Sequence, residues 1–411
     1  MNTPDKIKLK SEWKTVRISE VIHRATININ PKKCKYGYPY IGLDNITKGT
    51  FELKGIGNVE DVKSSKYQFK SEDILFGKLR PYFHKTIQSN FDGICSTDIW
   101  VLRSNDRSIL DQNYFYQVTK TTDFCNLVNS TSGGTDRPRA RWEVFKKKDI
   151  QIPPLSIQRE IAAILSAYDD LIENNTRRIQ ILEEMAQRIY REWFVKFRYP
   201  GYENDRFVES ELGMIPEGWE VKKLGEMITF QKGKKPKKFS DTKQEEYLPY
   251  LLIEVLKGGK SFYTNDKGMI IDELDDVIMV MDGASSGMVY IGFYGAVGST
   301  LANIRPNDKK KLSPFILYHF FIDNLKAISD NNIGSAIPHA NKDFINQMHT
   351  IIPPEKGMID FHNYFEEIYL LIRILKEKNK NLRQTRDLLL PKLISGKIDV
   401  SELDFDIGVD A

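Results

Sequence analysis

Two stretches of the chain carry apolar residues at a spacing that alternates between four and three positions. In the first, Ile161, Leu165, Tyr168, Ile172, Asn175, Ile179, Leu182, Ala186, Ile189 and Trp193 keep this rhythm. In the second, Phe361, Phe365, Ile368, Ile372, Leu375, Asn379, Leu382, Arg386, Leu389 and Leu393 repeat it. Such a repeat runs as one stripe along a helix, so each stretch predicts a long helix with a seam for a partner helix. Each seam holds one asparagine, Asn175 and Asn379, a residue type that fixes register at a cost in stability. Pro154 and Pro200 bracket the first stretch, leaving room for about 40 residues and roughly 60 Å of helix. The second meets Pro391, where a kink or an end is expected. Two unrelated helices on separate globules would also produce such stripes, but two seams in one chain favour a coiled-coil pair.

The rest of the chain, near 13–153 and 219–353, alternates short β-branched and aromatic runs with Gly, Asn, Asp and Lys. Asp73-Ile-Leu-Phe76, Ile99-Trp-Val-Leu102, Val277 to Met281 and Val289-Tyr-Ile291 read as strands of a mixed α/β globule. The two regions match each other. Gln151-Ile-Pro-Pro154 recurs as Ile351-Ile-Pro-Pro354, 200 positions on, and Gly134, Pro138 and Ala140 match Gly334, Pro338 and Ala340 at the same offset. Ser96-Thr97 pairs with Ser299-Thr300 at 203, and the opening Trp13 to Ile18 resembles Trp219 to Leu224. A sustained offset reads as two copies of one unit.

The expected fold class is therefore α+β: two mixed α/β globules separated by two long helices that form an antiparallel coiled coil, internally duplicated. The boundaries expected are 1–153 for the first globule, 154–205 for the first spacer helix, 206–353 for the second globule, and 354–411 for the second spacer helix and C-terminal segment. Gly396 to Asp404 runs on as if to lead back to Trp13. Antiparallel helices would then make a pseudo-symmetric, nearly circular molecule, a rod with a head at each end.

Composition narrows the function. In 411 residues, 41% hydrophobic and 28% charged content is that of a globular protein and excludes global disorder. The opening MNTPDKIKLK has no apolar run for a secretory signal, and no stretch is long and apolar enough to span a membrane. Cys34, Cys95 and Cys125 form no CxxC pair, which reads as reduced thiols in a cytoplasmic protein. The six histidines show no metal spacing.

Sixty basic against 56 acidic residues leave a net charge of only +4, so clustering matters more than the total. Arg137, Arg139, Arg141, Lys146, Lys147 and Lys148 crowd one segment, and Lys232, Lys234, Lys235, Lys237 and Lys238 another without an acid. Gly77-Lys-Leu-Arg-Pro-Tyr82 adds Lys78 and Arg80. One such cluster is usually a solvated face; three confined to the two globules point to nucleic acid, where lysines hold phosphates and arginines read guanine.

Catalysis finds little support. There is no GxxxxGK[ST] for ATP and no GxGxxG, since Gly55-Ile-Gly57-Asn-Val-Glu60 lacks its third glycine. Both double prolines follow isoleucine, unlike the Asp/Asn-Pro-Pro-aromatic tetrapeptide of an amino-methyltransferase. Gly283-Ala-Ser-Ser-Gly287 fits GxSxG, but a strand-like run follows where a nucleophile elbow needs a helix. Glu72-Asp73 with Lys78 is at most a loose likeness to a metal nuclease.

These segments together resemble the DNA-specificity subunit of type I restriction-modification systems. The resemblance rests on Ile152-Pro-Pro-Leu-Ser-Ile-Gln-Arg-Glu-Ile161, Leu389-Leu-Pro-Lys-Leu-Ile-Ser-Gly-Lys-Ile398 and Glu211-Leu-Gly-Met-Ile-Pro-Glu-Gly-Trp219. Gly134 to Trp142 and Gly334-Ser-Ala-Ile-Pro-His339 are similar to the ends of that family's recognition domains. The second copy departs at Pro354-Glu-Lys-Gly-Met358, which has no Gln-Arg-Glu. The resemblance implies that each globule is a target-recognition domain for half of a split, asymmetric site on double-stranded DNA, and that the coiled coil is a ruler. It implies two modification subunits bringing S-adenosylmethionine for adenine N6 methylation, and a restriction subunit bringing ATP and magnesium. This chain would bind no cofactor or metal and catalyse nothing itself. The DNA-contact candidates are Lys78, Arg80, Thr135, Arg137, Arg139 and Arg141 in the first head. In the second they are Lys232, Lys234, Lys235, Ser285, Ser286, His339 and Lys342. The competing readings are a stand-alone DNA-binding regulator and a nuclease in its own right. Off-seam Phe194, Phe197, Tyr364, Tyr369 and Leu371 weigh against the regulator, because they suggest further apolar partners.

Overall fold

In a computed structural model of the chain, residues 12–334 and 337–400 are described. The polar opening, Ser335-Ala336 and the stretch from 401 towards Asp404 lie outside the described residues. The chain divides into two compact units, one of residues 1–174 with 379–411 and one of residues 175–378.

The first unit is built on an antiparallel four-stranded sheet. Its order is Ile22–Ala25, Ile99–Ser104, Ile74–Gly77, Thr86–Gln88. Ile74 to Gly77 is buried throughout, as an unbroken apolar run in a sheet covered on both faces should be. Its side chains alternate between two cores. Ile74 and Phe76 join Trp100, Phe115 and Leu165 of the first long helix, while Leu75 joins Ile41, Phe69 and Val101 on the other face.

A five-stranded mixed sheet contains the parallel pair Pro39–Ile41 and Gly93–Cys95. An antiparallel ribbon of Lys14–Arg17 with Asp149–Ile152 delivers the chain to Pro153-Pro154 and the first long helix.

The second unit repeats this topology. The sheet order is Ile228–Lys232, Leu301–Pro306, Val277–Val280, Val289–Ile291. Val277 and Met279 face one core while Ile278 and Val280 face the other. The parallel pair is now Leu248–Leu251 with Gly295–Val297, and the ribbon Glu220–Lys223 with His349–Ile352. An arginine on the central strand grips the carboxylate that opens its neighbour in both copies: Arg103 with Asp73, and Arg305 with Asp276 at 2.7 Å. Asp73 is thus a buried structural acid, and its sequence neighbour Glu72 pairs with Arg107 at 2.6 Å. That accounts for both carboxylates of the nuclease-like grouping. No group of three or more metal-ligating side chains occurs among the described residues.

The long helices run Leu155–Tyr190, closed by a π turn at Arg191–Val195, and Glu355–Ile394. Within the first unit their halves are antiparallel, since Asp169 meets Arg386 at 2.9 Å and the Ile172 carbonyl accepts from Asn379 at 3.2 Å. Within the second, Glu183 meets Lys376 at 3.0 Å and Trp193 packs on Phe361. Pro391 sits in the last turn of the second helix, which ends near it, at Ile394. The helix closes after it, with Gly396 at φ +67° and the Lys397 amide donating to the Lys392 carbonyl at 2.8 Å. Phe194, Phe197 and Tyr369, expected to await outside partners, are instead buried in their own unit's core, whereas Tyr364 and Leu371 stay exposed.

Each unit ties its globule to the helix pair by a buried polar knot at matching positions. In the first, Asp169 accepts from Gln117 at 3.1 Å and also pairs with Lys120 and Arg386. In the second, Tyr369 and His319 occupy the places of Asp169 and Gln117. The Tyr369 hydroxyl donates to His319 Nε2 at 2.9 Å, and His319 Nδ1 donates to Gln187 at 2.6 Å. Burial pushes His319 down to about 3, which keeps it neutral in this tautomer.

Candidate nucleic-acid interface

In the first unit the loop after Ile74–Gly77 is held against the segment 134–141, some sixty residues away in sequence. The Arg80 amide donates to the Pro138 carbonyl at 2.7 Å, and the Ala140 amide to the Lys78 carbonyl at 2.9 Å. This clamp draws Lys78, Arg80, Thr135, Arg137 and Arg139 together. Arg139 pairs with Asp98 at 3.0 Å, while Thr135 and Arg137 are exposed. Arg141 lies at the end of the segment, its Nε donating to the Thr131 carbonyl at 3.2 Å. Burial lowers the Lys78 pKa; Asp98 opposes that shift, and the nearby Arg24 and Arg139 charges add to it.

Backbone strain marks the same loop. Arg80 has φ +50° and His84 φ +48°, left-handed values that cost a side-chain-bearing residue about 1 kcal/mol or more. The matching positions in the second unit are Gly283 and Gly287, at φ +95° and +90°. The first unit thus keeps an arginine where its own duplicate uses glycine. Strain retained at a half-buried cationic loop points to a function for the side chain.

The second unit has the same clamp with other side chains. The Gly283 amide donates to the Pro338 carbonyl at 2.9 Å, and the Ala340 amide to the Met281 carbonyl at 2.8 Å. Where Leu79 faces Arg139 in the first copy, Asp282 faces His339 in the second. The His339 Nδ1 lies 2.7 Å from Asp282, whose other oxygen is 3.4 Å from Lys232. Ser285 accepts from Lys257 at 2.9 Å. Ser286 is buried and donates to the Gly283 carbonyl at 2.6 Å, so its hydroxyl belongs to the turn and does not project from it. The turn joins two antiparallel strands, with no helix after Ser285. Lys234 and Lys235 are exposed, on a strip of backbone pressed against the small sheet. A Cβ on Gly233 would lie 2.3 Å from the Gly298 carbonyl oxygen, so only glycine fits there. Lys342 is exposed at the start of the helix Lys342–Gln347.

A family model described as the type I restriction modification DNA specificity domain matches residues 10–184 and again 216–384. The chain belongs to that family. Each match covers one globule and most of the long helix that follows it, so the family's repeat is the globule-and-helix sequence that occurs twice here. The chain is 27% identical over 306 residues to the type I restriction enzyme MjaIX specificity subunit of Methanocaldococcus jannaschii, covering 71% of this chain and 70% of that one. It is 25% identical to that organism's putative MjaX specificity subunit, over 95% of both chains. Among solved structures, the type I restriction-modification S subunit from M. genitalium shares the fold with a TM-score of 0.58. The match is 15% identical and covers 93% of this chain and 96% of that one.

Within this specificity-family fold, the candidates of the first head converge on one clamp, while those of the second spread over the clamp, the glycine-bound strip and a helix start. Sequence reasoning missed Arg24, Trp142, Phe230 and Asp282, which border the same surfaces. The signal was present: Trp13 and Trp219 are 206 positions apart, and the same offset carries Arg24 onto Phe230.

Proposed function

We propose that this chain is the DNA-recognition subunit of a type I restriction-modification system, each unit reading one half of a split, asymmetric site. The observation that carries this is the duplicated clamp: one backbone arrangement presents different side chains in the two copies of a family-matched repeat. Two modification subunits would use the chain as scaffold and supply S-adenosylmethionine for adenine N6 methylation. Restriction subunits would supply ATP and magnesium, the helix pair would set the number of unread base pairs, and the assembly would work in the cytoplasm. Lysines on phosphates would give salt-dependent affinity, and a few arginine or histidine contacts would discriminate bases at about 1–3 kcal/mol each. The stand-alone regulator is not favoured by the family match.

Methylation-sensitive sequencing of the host genome, with the gene intact and deleted, tests the reading. Loss of one split N6-methyladenine motif on deletion is the expected result. Survival of every methylated motif while the modification genes are expressed overturns it.

A further inference from the structure

The two units carry the same cation–aromatic pair with its members exchanged. In the first, the guanidinium of Arg24 lies 5.7 Å from the Trp142 ring centroid; in the second, the Lys342 ammonium lies 5.1 Å from the Phe230 ring. The positions are structurally equivalent. Arg24 faces Leu102 across the sheet as Phe230 faces Ile304, and Trp142 and Lys342 each begin the short helix that follows the clamp segment. The charge has moved from strand to helix and the ring from helix to strand, yet a cation over a ring stays beside the clamp in both copies.

Neither cation has an ion-pair partner among the described residues, and Arg24 Nε is buried without a hydrogen bond. Arg24 shares its surroundings with Lys78 and with Glu143, whose carboxylate is already paired with Lys146. A ring face holds a cation near a fixed point without neutralising its charge. A surplus of fixed positive charge with spare donors needs an anion to complete it.

We propose that Arg24 and Lys342 are equivalent phosphate-positioning residues, each holding one backbone phosphate of the half-site that its unit reads. This rests on the DNA-recognition reading above. The pair would set register on the duplex, while the clamp residues beside it meet the bases.

The test uses the full chain assembled with its modification subunits and DNA carrying the methylated motif. Binding is measured against salt concentration for the unaltered complex, Arg24→Ala, Lys342→Ala, and the exchange variant Arg24→Phe with Trp142→Lys. Each alanine variant is expected to weaken binding on the order of tenfold, equally on specific and scrambled DNA, and to reduce the salt slope by about 0.9. The exchange variant copies the second unit's arrangement and is expected to restore the slope. An unchanged slope in Arg24→Ala, with or without a lower melting temperature, overturns the proposal, because a purely structural residue releases no counterion. A loss confined to one base sequence also overturns it. Failure of the unaltered complex to prefer its motif would instead sink the DNA-recognition reading itself, before any variant is compared.

Discussion

Replacing Asp169 by asparagine should destabilise the first unit by about 3–5 kcal/mol, the range for breaking a buried ion pair by removing one partner. The carboxylate sits between Lys120 and Arg386, whose side chains are 1% and 3% exposed. Arg386 would keep Asp387 at 2.9 Å. Lys120 would keep the Tyr116 and Phe51 rings, 4.3 and 5.8 Å from its ammonium, and the more distant charge of Asp387. Burial already lowers Lys120 to about 8 while the carboxylate is present. Of the roughly 4.6 kcal/mol that a neutral Lys120 costs at pH 7, the fall from 10.4 to about 8 already accounts for about 3.3. The lysine itself can lose only about 1.4 kcal/mol more before it sheds its proton, and the rest of the loss is the carboxylate's own attraction to Lys120 and Arg386.

With a urea slope of about 2–3 kcal/mol/M for a unit of this size, the midpoint should fall by roughly 1.5 M. Hydrogen exchange during the titration, read on helix Gln112–Thr119, assigns the loss to the first unit. A triple replacement, Lys120→Met with Asp169→Leu and Arg386→Met, should come out near neutral, because it removes the desolvation cost together with the attraction. The reasoning is refuted if Asp169→Asn costs under about 1 kcal/mol, or if the triple variant is less stable than the single one.

Arg80→Gly should raise the first unit's stability by about 0.5–1 kcal/mol by relieving the left-handed strain, while weakening DNA binding; a variant that loses stability sinks the strain argument. His319, held near 3, binds its proton less readily than the unfolded chain, so stability is lost as pH falls from about 6.5 towards 3. By pH 4.5 this should amount to about 2.7 kcal/mol in the second unit. His319→Gln, the residue at the matching position of the first unit, should remove that dependence in urea titrations at pH 7 and 4.5. Asp272 has the opposite sign: burial raises it to about 8 and its Oδ2 lacks a partner, so stability is lost as pH rises from about 4 to about 8. Asp272→Asn should therefore stabilise at pH 8 by about 2–4 kcal/mol and change little at pH 4, and equal midpoints for the two proteins at pH 8 would contradict it.

The seams of the long helices are legible in the sequence because their contacts recur every three or four positions along one element. Arg386 and Asn379 break the apolar stripe yet hold their seam places, as buried polar groups with partners. Sheet order is a different matter. Ile99–Ser104 pairs with strands some 25 and 75 positions earlier, and no local pattern specifies which. The clamp is half legible: Gly134, Pro138 and Ala140 match their counterparts at one offset, and Lys78 and Arg80 stand out as cations beside a glycine at a strand end, but no pattern joins the two segments. Pro391 is legible as a stop because the lost bond and the ring clash fall on the preceding turn, and the helix ends at Ile394, within one turn of it. Ser286 misled because a short polar residue in a turn bonds its own backbone as readily as a ligand.

The duplication separates what the fold demands from what recognition can vary. The order of the sheet that leads into the clamp, the clamp's two backbone bonds and the arginine–carboxylate grip are the same in both units. Side chains at matching sites are not: Lys78, Leu79 and Arg80 stand where Met281, Asp282 and Gly283 do. Backbone hydrogen bonds are indifferent to the side chains between them, so the clamp can be kept while the surface it presents is rewritten. A surface with Lys78, Arg80, Arg137 and Arg139 and one built around an Asp–His–Lys cluster offer different donors and acceptors to a groove. Two heads of one geometry and unlike chemistry can therefore serve a site whose halves differ in sequence. The exchanged pairs Arg24–Trp142 and Lys342–Phe230 run the other way. There the residues changed and the charge stayed, which is the pattern expected where the target feature, a phosphate, is common to both halves.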